Sequence, residues 1–373
     1  MNRVLVVGMS SNLGGVESLI YNYVREMQGD GLQFDILLYE ENCVYQEELN
    51  ALGCGFYRIL APRFRECIYF YKERRAFFRD NAYKYDCIWL NDCSLANARD
   101  LKVAKRYGIK KRIFHGHSAE HMRKDRKKYF YRFLHDINRR KIDRWATDYW
   151  ACSDLAGVFC FGCHWKEDEK SRVIYNAIDL NKYRYKSEVR YAIRKELNID
   201  ECFVVGNVGR LHFQKNQMFL IEVFAEIAKL QPQAVLMIVG EGEERASLEE
   251  RIDFYGIRDK VYMLGAREDV PYLMQAMDVF VLTSKAEALG IVLIEAQAAG
   301  LPTFASKGIV PEDVRISELF HFLSLKETKE HWAESILSTV GYSRRDIYES
   351  IKESGFNIMK AAGIMRGLLY GDE

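Results

Sequence analysis

The segment Thr283-Ser284-Lys285-Ala286-Glu287-Ala288-Leu289-Gly290 is followed by a largely apolar run, Ile291–Ala299, that contains Glu295. A strand is expected to end at Leu282, and the spacing predicts a helix from about Gly290 to Ala299. Eight residues at helical rise cover about 12 Å. Glu287 ahead of the helix and Glu295 in its second turn are therefore two carboxylates separated by a helix start. Carboxylates bind hydroxyls through charge-assisted hydrogen bonds, and helix-start amides favour an anion such as a diphosphate. The plainer alternative is an acidic residue favoured by the helix dipole and a surface glutamate. Against it, a solvated glutamate is out of place in so apolar a run.

A second cluster, Gly209-Arg210-Leu211-His212-Phe213-Gln214-Lys215-Asn216, lies between an expected strand and a helix. Arg210 offers a planar fork and Lys215 a point charge, both suited to phosphate oxygens; two solvated loop charges are the alternative. A third loop, Gly8-Met9-Ser10-Ser11-Asn12-Leu13-Gly14-Gly15, follows the first strand and opens a helix. Its paired glycines allow close approach of a ligand, but it is neither a dinucleotide Gly-x-Gly-x-x-Gly nor a P-loop. His115, His117 and His121 follow another strand at spacings of two and four. Zinc would need a fourth ligand nearby, and none is present. Cys160-Phe161-Gly162-Cys163-His164 formally matches a haem attachment motif and is taken as thiols at a helix end.

These loops need strands to position them. Apolar β-branched runs, each followed by a helix-length amphipathic stretch, occur at Val4–Val7, Phe34–Leu38, Cys87–Leu90, Arg112–His115 and Tyr149–Ala151. They resume at Phe203–Val208, Val235–Val239, Val261–Leu264, Val279–Leu282 and Pro302–Phe304. Continuous runs mark strands buried on both faces, so two doubly wound parallel α/β domains are expected. Helical spacing is clear at Phe219, Val223, Phe224, Ile227 and Leu230. The expected domains are 1–180 and 181–373, with about 350–373 packing back on the first. Ligands of such domains sit in a cleft at the carboxyl ends of the strands.

With 373 residues, 49% apolar, the chain has material for two cores, and a net charge of +1 excludes a global polyelectrolyte partner. Residues 1–180 carry 30 Lys/Arg against 24 Asp/Glu, whereas 181–373 carry 24 against 29. Residues 101–145 hold 16 basic and four acidic residues interleaved with aromatics, and 63–79 have the same character. That composition suits the surface of an anionic membrane; nucleic acid is disfavoured by the acidic second half. Nine scattered cysteines fit free thiols in a reducing compartment, and the first residues read as a strand, not a signal peptide. A cytoplasmic protein, peripheral on the inner face of the cell membrane, is the expectation.

Taken together, Gly14-Gly15, Gly209-Arg210-(four residues)-Lys215 and Ser284-x-x-Glu287-(seven residues)-Glu295-Ala296 resemble the retaining glycosyltransferases of family four. Val173-Ile174-Tyr175-Asn176-Ala177-Ile178-Asp179, Val239-Gly240-Glu241-Gly242 and Leu264-Gly265-Ala266-Arg267 extend the resemblance over residues 1 to about 310. It is nearest to bacterial enzymes of capsular and exopolysaccharide synthesis. The resemblance implies the GT-B fold and transfer of a hexose or N-acetylhexosamine from a nucleotide sugar, UDP-linked, to a sugar acceptor on a lipid carrier. It implies that Arg210 and Lys215 hold the diphosphate, Glu295 the ribose and Glu287 the donor sugar. Gly15, Leu289, Gly290 and Ile291 would contact sugar or phosphate, Ala266 and Arg267 would border the base, and His117 would lie near the reacting sugar. No metal or other cofactor is implied. Ala288-Leu289-Gly290 replaces the family's Gly-Phe-Gly, which leaves the sugar open. An epimerase of the same fold and a non-catalytic donor-binding subunit are the competing functions.

Overall fold

The computed structural model describes residues 2–12, 14–29, 31–60, 66–121, 125, 127–287 and 289–370, with 66–69 as backbone only. Of the residues named above, Leu13 and Ala288 lie outside that set, as do 63–65, 122–124 and 126 of the two basic stretches. The chain divides into two units, 1–178 with 358–373, and 179–357.

The first unit is built on seven parallel strands: β1 (Asn2–Val7), β2 (Leu32–Leu38), β3 (Gly55–Arg58), β4 (Cys87–Asp92), β5 (Lys111–Gly116), β6 (Asp148–Ala151) and β7 (Ser171–Val173), in the order β3-β2-β1-β4-β5-β6-β7. Its continuous apolar runs have the two-sided burial that a parallel sheet demands. Val4 and Val6 face a core with Phe34, Ile36 and Trp89, while Leu5 and Val7 face another with Leu90, Leu101 and Phe114. The helix Ile358–Tyr370 belongs to this unit. Its Ile358, Ala361, Ala362, Met365 and Leu369 fall on one helical face and enter the first core. The Ile358 amide donates to Ile178 O at 3.0 Å, which fixes where that helix starts.

The second unit has six parallel strands, β8 (Phe203–Val208), β9 (Ala234–Val239), β10 (Val261–Met263), β11 (Val279–Leu282), β12 (Thr303–Ser306) and β13 (Phe320–Leu323), ordered β10-β9-β8-β11-β12-β13. The helix Gln217–Leu230 buries Leu220, Ile221, Val223, Phe224 and Ile227. Leu230, counted on that face from spacing alone, is 61% exposed because it is the last residue before the turn.

Strands β3, β7 and β13 have no counterpart among the expected runs. Each lies at a sheet edge and is only partly buried, so it lacks the continuous apolar signature of a central strand.

The stretch ahead of β8 contains the helix Ser187–Glu196, tied to the second sheet by Asp278. Asp278 accepts from the Val204 amide at 2.7 Å, pairs with Arg194 at 3.1 Å and also binds Arg190. Removing the carboxylate leaves two guanidinium groups with backbone carbonyls alone and no counter-charge, and Arg194 is almost fully covered. Asp278→Ala is therefore expected to destabilise the second unit by about 2 kcal/mol or more, discounted for the partial exposure of the pair. Urea unfolding would measure it, and an unchanged midpoint would refute it.

Candidate active site

In both sheets the strand order reverses at the centre, between β1 and β4 and between β8 and β11. Loops leaving neighbouring strands there diverge to opposite faces and leave room for a ligand at the carboxyl edge. In the second unit Arg210 and Lys215 stand at that point on the loop after β8, and Glu287 on the loop after β11.

These two loops are stitched together. Asn216, in the left-handed region at φ 55° and capping the Gln217–Leu230 helix, donates from Nδ2 to Thr283 O at 3.0 Å. Thr283 Oγ1 donates back to Asn216 O at 3.0 Å, and the Lys285 amide reaches Gln214 O at 2.7 Å. The stitching brings Lys215 to Glu287: Nζ lies 2.5 Å from Oε1, with side chains 24% and 9% exposed. Ser284, fully buried, donates from Oγ to the same oxygen at 2.7 Å. One oxygen of Glu287 is thus fixed by an amine and a hydroxyl, which orients the carboxyl group.

Gly240 (φ +143°) and Gly242 let the loop after β9 press on this platform. A Cβ at either would stand 2.1 Å from Gly209 O or 2.2 Å from Leu211 O. Arg210 is exposed, and its guanidinium makes no hydrogen bond or ion pair among the described residues, so it is available to an anion. Leu289 is buried and Gly290, at φ +83°, caps the helix Ile291–Ala298. The first amides of that helix have no partner within it, as at any helix start.

Glu295 is not drawn to Lys215. It lies half-buried in the second turn, where burial pushes its carboxyl up to about 7 while a hydrogen bond with Tyr183 opposes the rise. Ala266 and Arg267 follow β10 and are exposed, but the Arg267 fork is taken by Asp269 at 2.7 and 2.6 Å.

In the first unit, His117 directly follows β5. Its ring lies 4.2 Å from that of His115, and its Nε2 is 2.9 Å from Asn91 Oδ1. Burial pulls its pKa down to about 3, so the ring is neutral. His121 turns away to the rings of His135 and Phe159, at 5.0 and 4.9 Å. Gly15 opens the helix Gly15–Met27 and its carbonyl accepts from Asn176 Nδ2 at 2.9 Å. Asn91, Asp92 and Glu17 have no role assigned by the sequence motifs, although Glu17 lies just past the paired glycines of the first loop. Burial raises Asp92 to about 6, against hydrogen bonds from Asn97 and the Ser94 amide. Glu17 is buried and accepts from Ser10 Oγ at 2.6 Å. A polar pair closing the apolar run Cys87–Leu90 was the available signal for Asn91 and Asp92.

Residues 189–348 match the family described as glycosyl transferases, group 1. The chain carries a group 1 glycosyltransferase domain. A full-length relative agrees: EpsF of Bacillus subtilis (strain 168), a protein with a provisional glycosyltransferase name, is 28% identical over 372 residues, covering 97% of this chain and 95% of its own. An Escherichia coli enzyme named UDP-Gal:alpha-D-GlcNAc-diphosphoundecaprenol alpha-1,3-galactosyltransferase is 36% identical over 145 residues, 37% of this chain and 36% of its own. Among solved structures, Anabaena Alr3699/HepE, crystallised with UDP and glucose, superposes with a TM-score of 0.77 at 20% identity over the whole of both chains. This glycosyltransferase has the GT-B fold, two parallel-sheet Rossmann-like domains of seven and six strands.

The raised Glu295 carboxyl has a measurable consequence. Its folded form binds a proton more tightly than the unfolded chain, so the stabilising contribution is complete below about pH 4.5 and is lost as pH rises through about 7. Glu295→Gln is expected to be more stable than the wild type by roughly 2 kcal/mol at pH 8, and equal to it near pH 4. Thermal unfolding across that range would show a constant difference if the carboxyl were unperturbed.

Proposed function

We propose that this glycosyltransferase moves a hexose, or an N-acetylhexosamine, from a UDP-sugar to a lipid-linked sugar acceptor with retention at the anomeric carbon. Its products belong to capsular or exopolysaccharide synthesis. The observation that carries the reading is the Lys215–Ser284–Glu287 cluster at the switch point of the second sheet. Support for the donor and acceptor classes comes from the names of the relatives, one of which acts with UDP-Gal on a diphosphoundecaprenol-linked sugar.

In this reading residues 181–373 bind the donor and 1–180 the acceptor. Arg210 and Lys215 take the diphosphate, assisted by amides around Leu289–Ile291, and so stabilise the charge that develops on the leaving group. Glu287 accepts from hydroxyls of the donor sugar and Glu295 from the ribose. Ala266 and Arg267 border the base, with the Arg267–Asp269 fork supplying a rigid edge. Gly15 gives close backbone approach in the first unit, and His117 meets a sugar hydroxyl. Double displacement would need a nucleophilic carboxylate on the far side of the sugar. A front-face path, in which the leaving phosphate takes the acceptor's proton, needs none, and no metal enters it.

The helix Lys128–Arg139 supports docking to an anionic inner-membrane surface. Tyr129, Phe130 and Phe133 are 70%, 58% and 60% exposed beside Lys128 and Arg132. No described helix is long and apolar enough to cross a membrane, so the contact would be peripheral.

Nucleotide release from a panel of UDP-, GDP- and ADP-sugars tests the reading. Slow hydrolysis of one UDP-sugar is expected, falling on the order of 100-fold in Lys215→Ala and Glu287→Ala as transition-state contacts are lost. Retained turnover in both variants would remove the cluster from the mechanism. Trapping a glycosyl-enzyme adduct would remove the front-face path, and release of an epimer without acceptor would favour an epimerase.

A further inference from the structure

Asn91 stands at the carboxyl end of β4, 2% exposed, with its side chain enclosed by three polar groups. Its Nδ2 faces Val7 O at 3.5 Å and Trp89 O at 3.4 Å, and its Oδ1 lies 2.9 Å from His117 Nε2. The two carbonyls can only accept, so the amide nitrogen must face them and the amide oxygen must face the imidazole. That oxygen in turn requires a donor, which places the ring proton on Nε2. A neutral imidazole carries one proton, so Nδ1 is a bare lone pair. Nδ1 is buried and, among the described residues, has no hydrogen-bond partner, an acceptor left over in a region where nearly all such groups are paired.

The backbone and Cβ of Asn91 are also braced from behind. Gly8, at φ +123° where β1 ends, lies so close that a Cβ there would stand 2.2 Å from Asn91 O and 2.8 Å from Asn91 Cβ. The order reversal of the first sheet makes β1 and β4 neighbours, which gives Gly8 and Asn91 this contact.

We propose that Asn91 is a positioning residue of the transfer reaction: it holds His117 in the Nε2–H tautomer, so that Nδ1 accepts a hydrogen bond from a sugar hydroxyl. The proposal rests on the reading that His117 meets substrate, and adds the residue that determines which ring nitrogen does so. Asn91 itself touches no reacting atom in this scheme. Its effect passes through the imidazole, as the outer partners of metal-bound histidines act through theirs.

Nitrogen-15 spectra of histidine-labelled protein, assigned by subtraction of His117→Ala, test the tautomer without requiring turnover. An unprotonated Nδ1 and a protonated Nε2 are expected in the wild type, with the Nδ1 resonance moving upfield on addition of UDP-glucose or of free glucose. The first response identifies a donor hydroxyl and the second an acceptor hydroxyl. A protonated Nδ1, or no movement with either probe at saturating concentration, overturns the proposal. Kinetics supply the second arm. Asn91→Ala is expected to lower kcat roughly 10-fold, the worth of one hydrogen bond, with little change in donor KM. In a His117→Ala background the same substitution should cost nothing further. An equal loss with and without His117 would make Asn91 merely structural and overturn the proposal. Full activity in His117→Ala would instead overturn the reading of His117 itself, while the spectrum still reports its tautomer.

Discussion

Parallel pairing is the constraint from which the rest of this protein follows. Every described strand pairing in both sheets is parallel, so every strand delivers its carboxyl end to the same edge of its sheet. Crossover helices must then cover both faces, and the strands become continuous apolar runs. Because strand order reverses once within each sheet, one pair of adjacent loops diverges and the others do not. At those reversals Gly8 meets Asn91, between β1 and β4, and Lys215 meets Glu287, between β8 and β11.

At each reversal a polar side chain is fixed by groups that leave it one orientation. In the second unit, Glu287 is held by Lys215 and Ser284, and the loops are locked by the reciprocal Asn216–Thr283 bonds. In the first, two carbonyls orient the Asn91 amide and the amide orients His117. Preorganisation of this kind means that little reorganisation remains when a ligand arrives. Burial acts in the same sense on the titrating groups. It keeps His117 neutral and lifts Glu295 toward neutrality at ordinary pH, which makes both acceptors or donors of hydrogen bonds in place of free charges.

The sequence by itself determined the wound architecture, because ten apolar β-branched runs spaced by amphipathic stretches have few other folds open to them. It also carried the resemblance to a glycosyltransferase family, which rests on Arg210, Lys215, Glu287 and Glu295 standing at matching spacings in strand-to-helix loops. The edge strands β3, β7 and β13 were not legible, because a strand half open to solvent loses the continuous apolar pattern. Tertiary structure alone decided which charges meet. Lys215 and Glu287 are 72 residues apart and become partners only because β8 and β11 are neighbours, while Arg267, near in motif, is spent on Asp269. It alone placed Asn91 against His117, 26 residues further along the chain. Spacing along a chain fixes what a loop or helix can present; adjacency across a sheet is set by strand order, which local sequence does not encode.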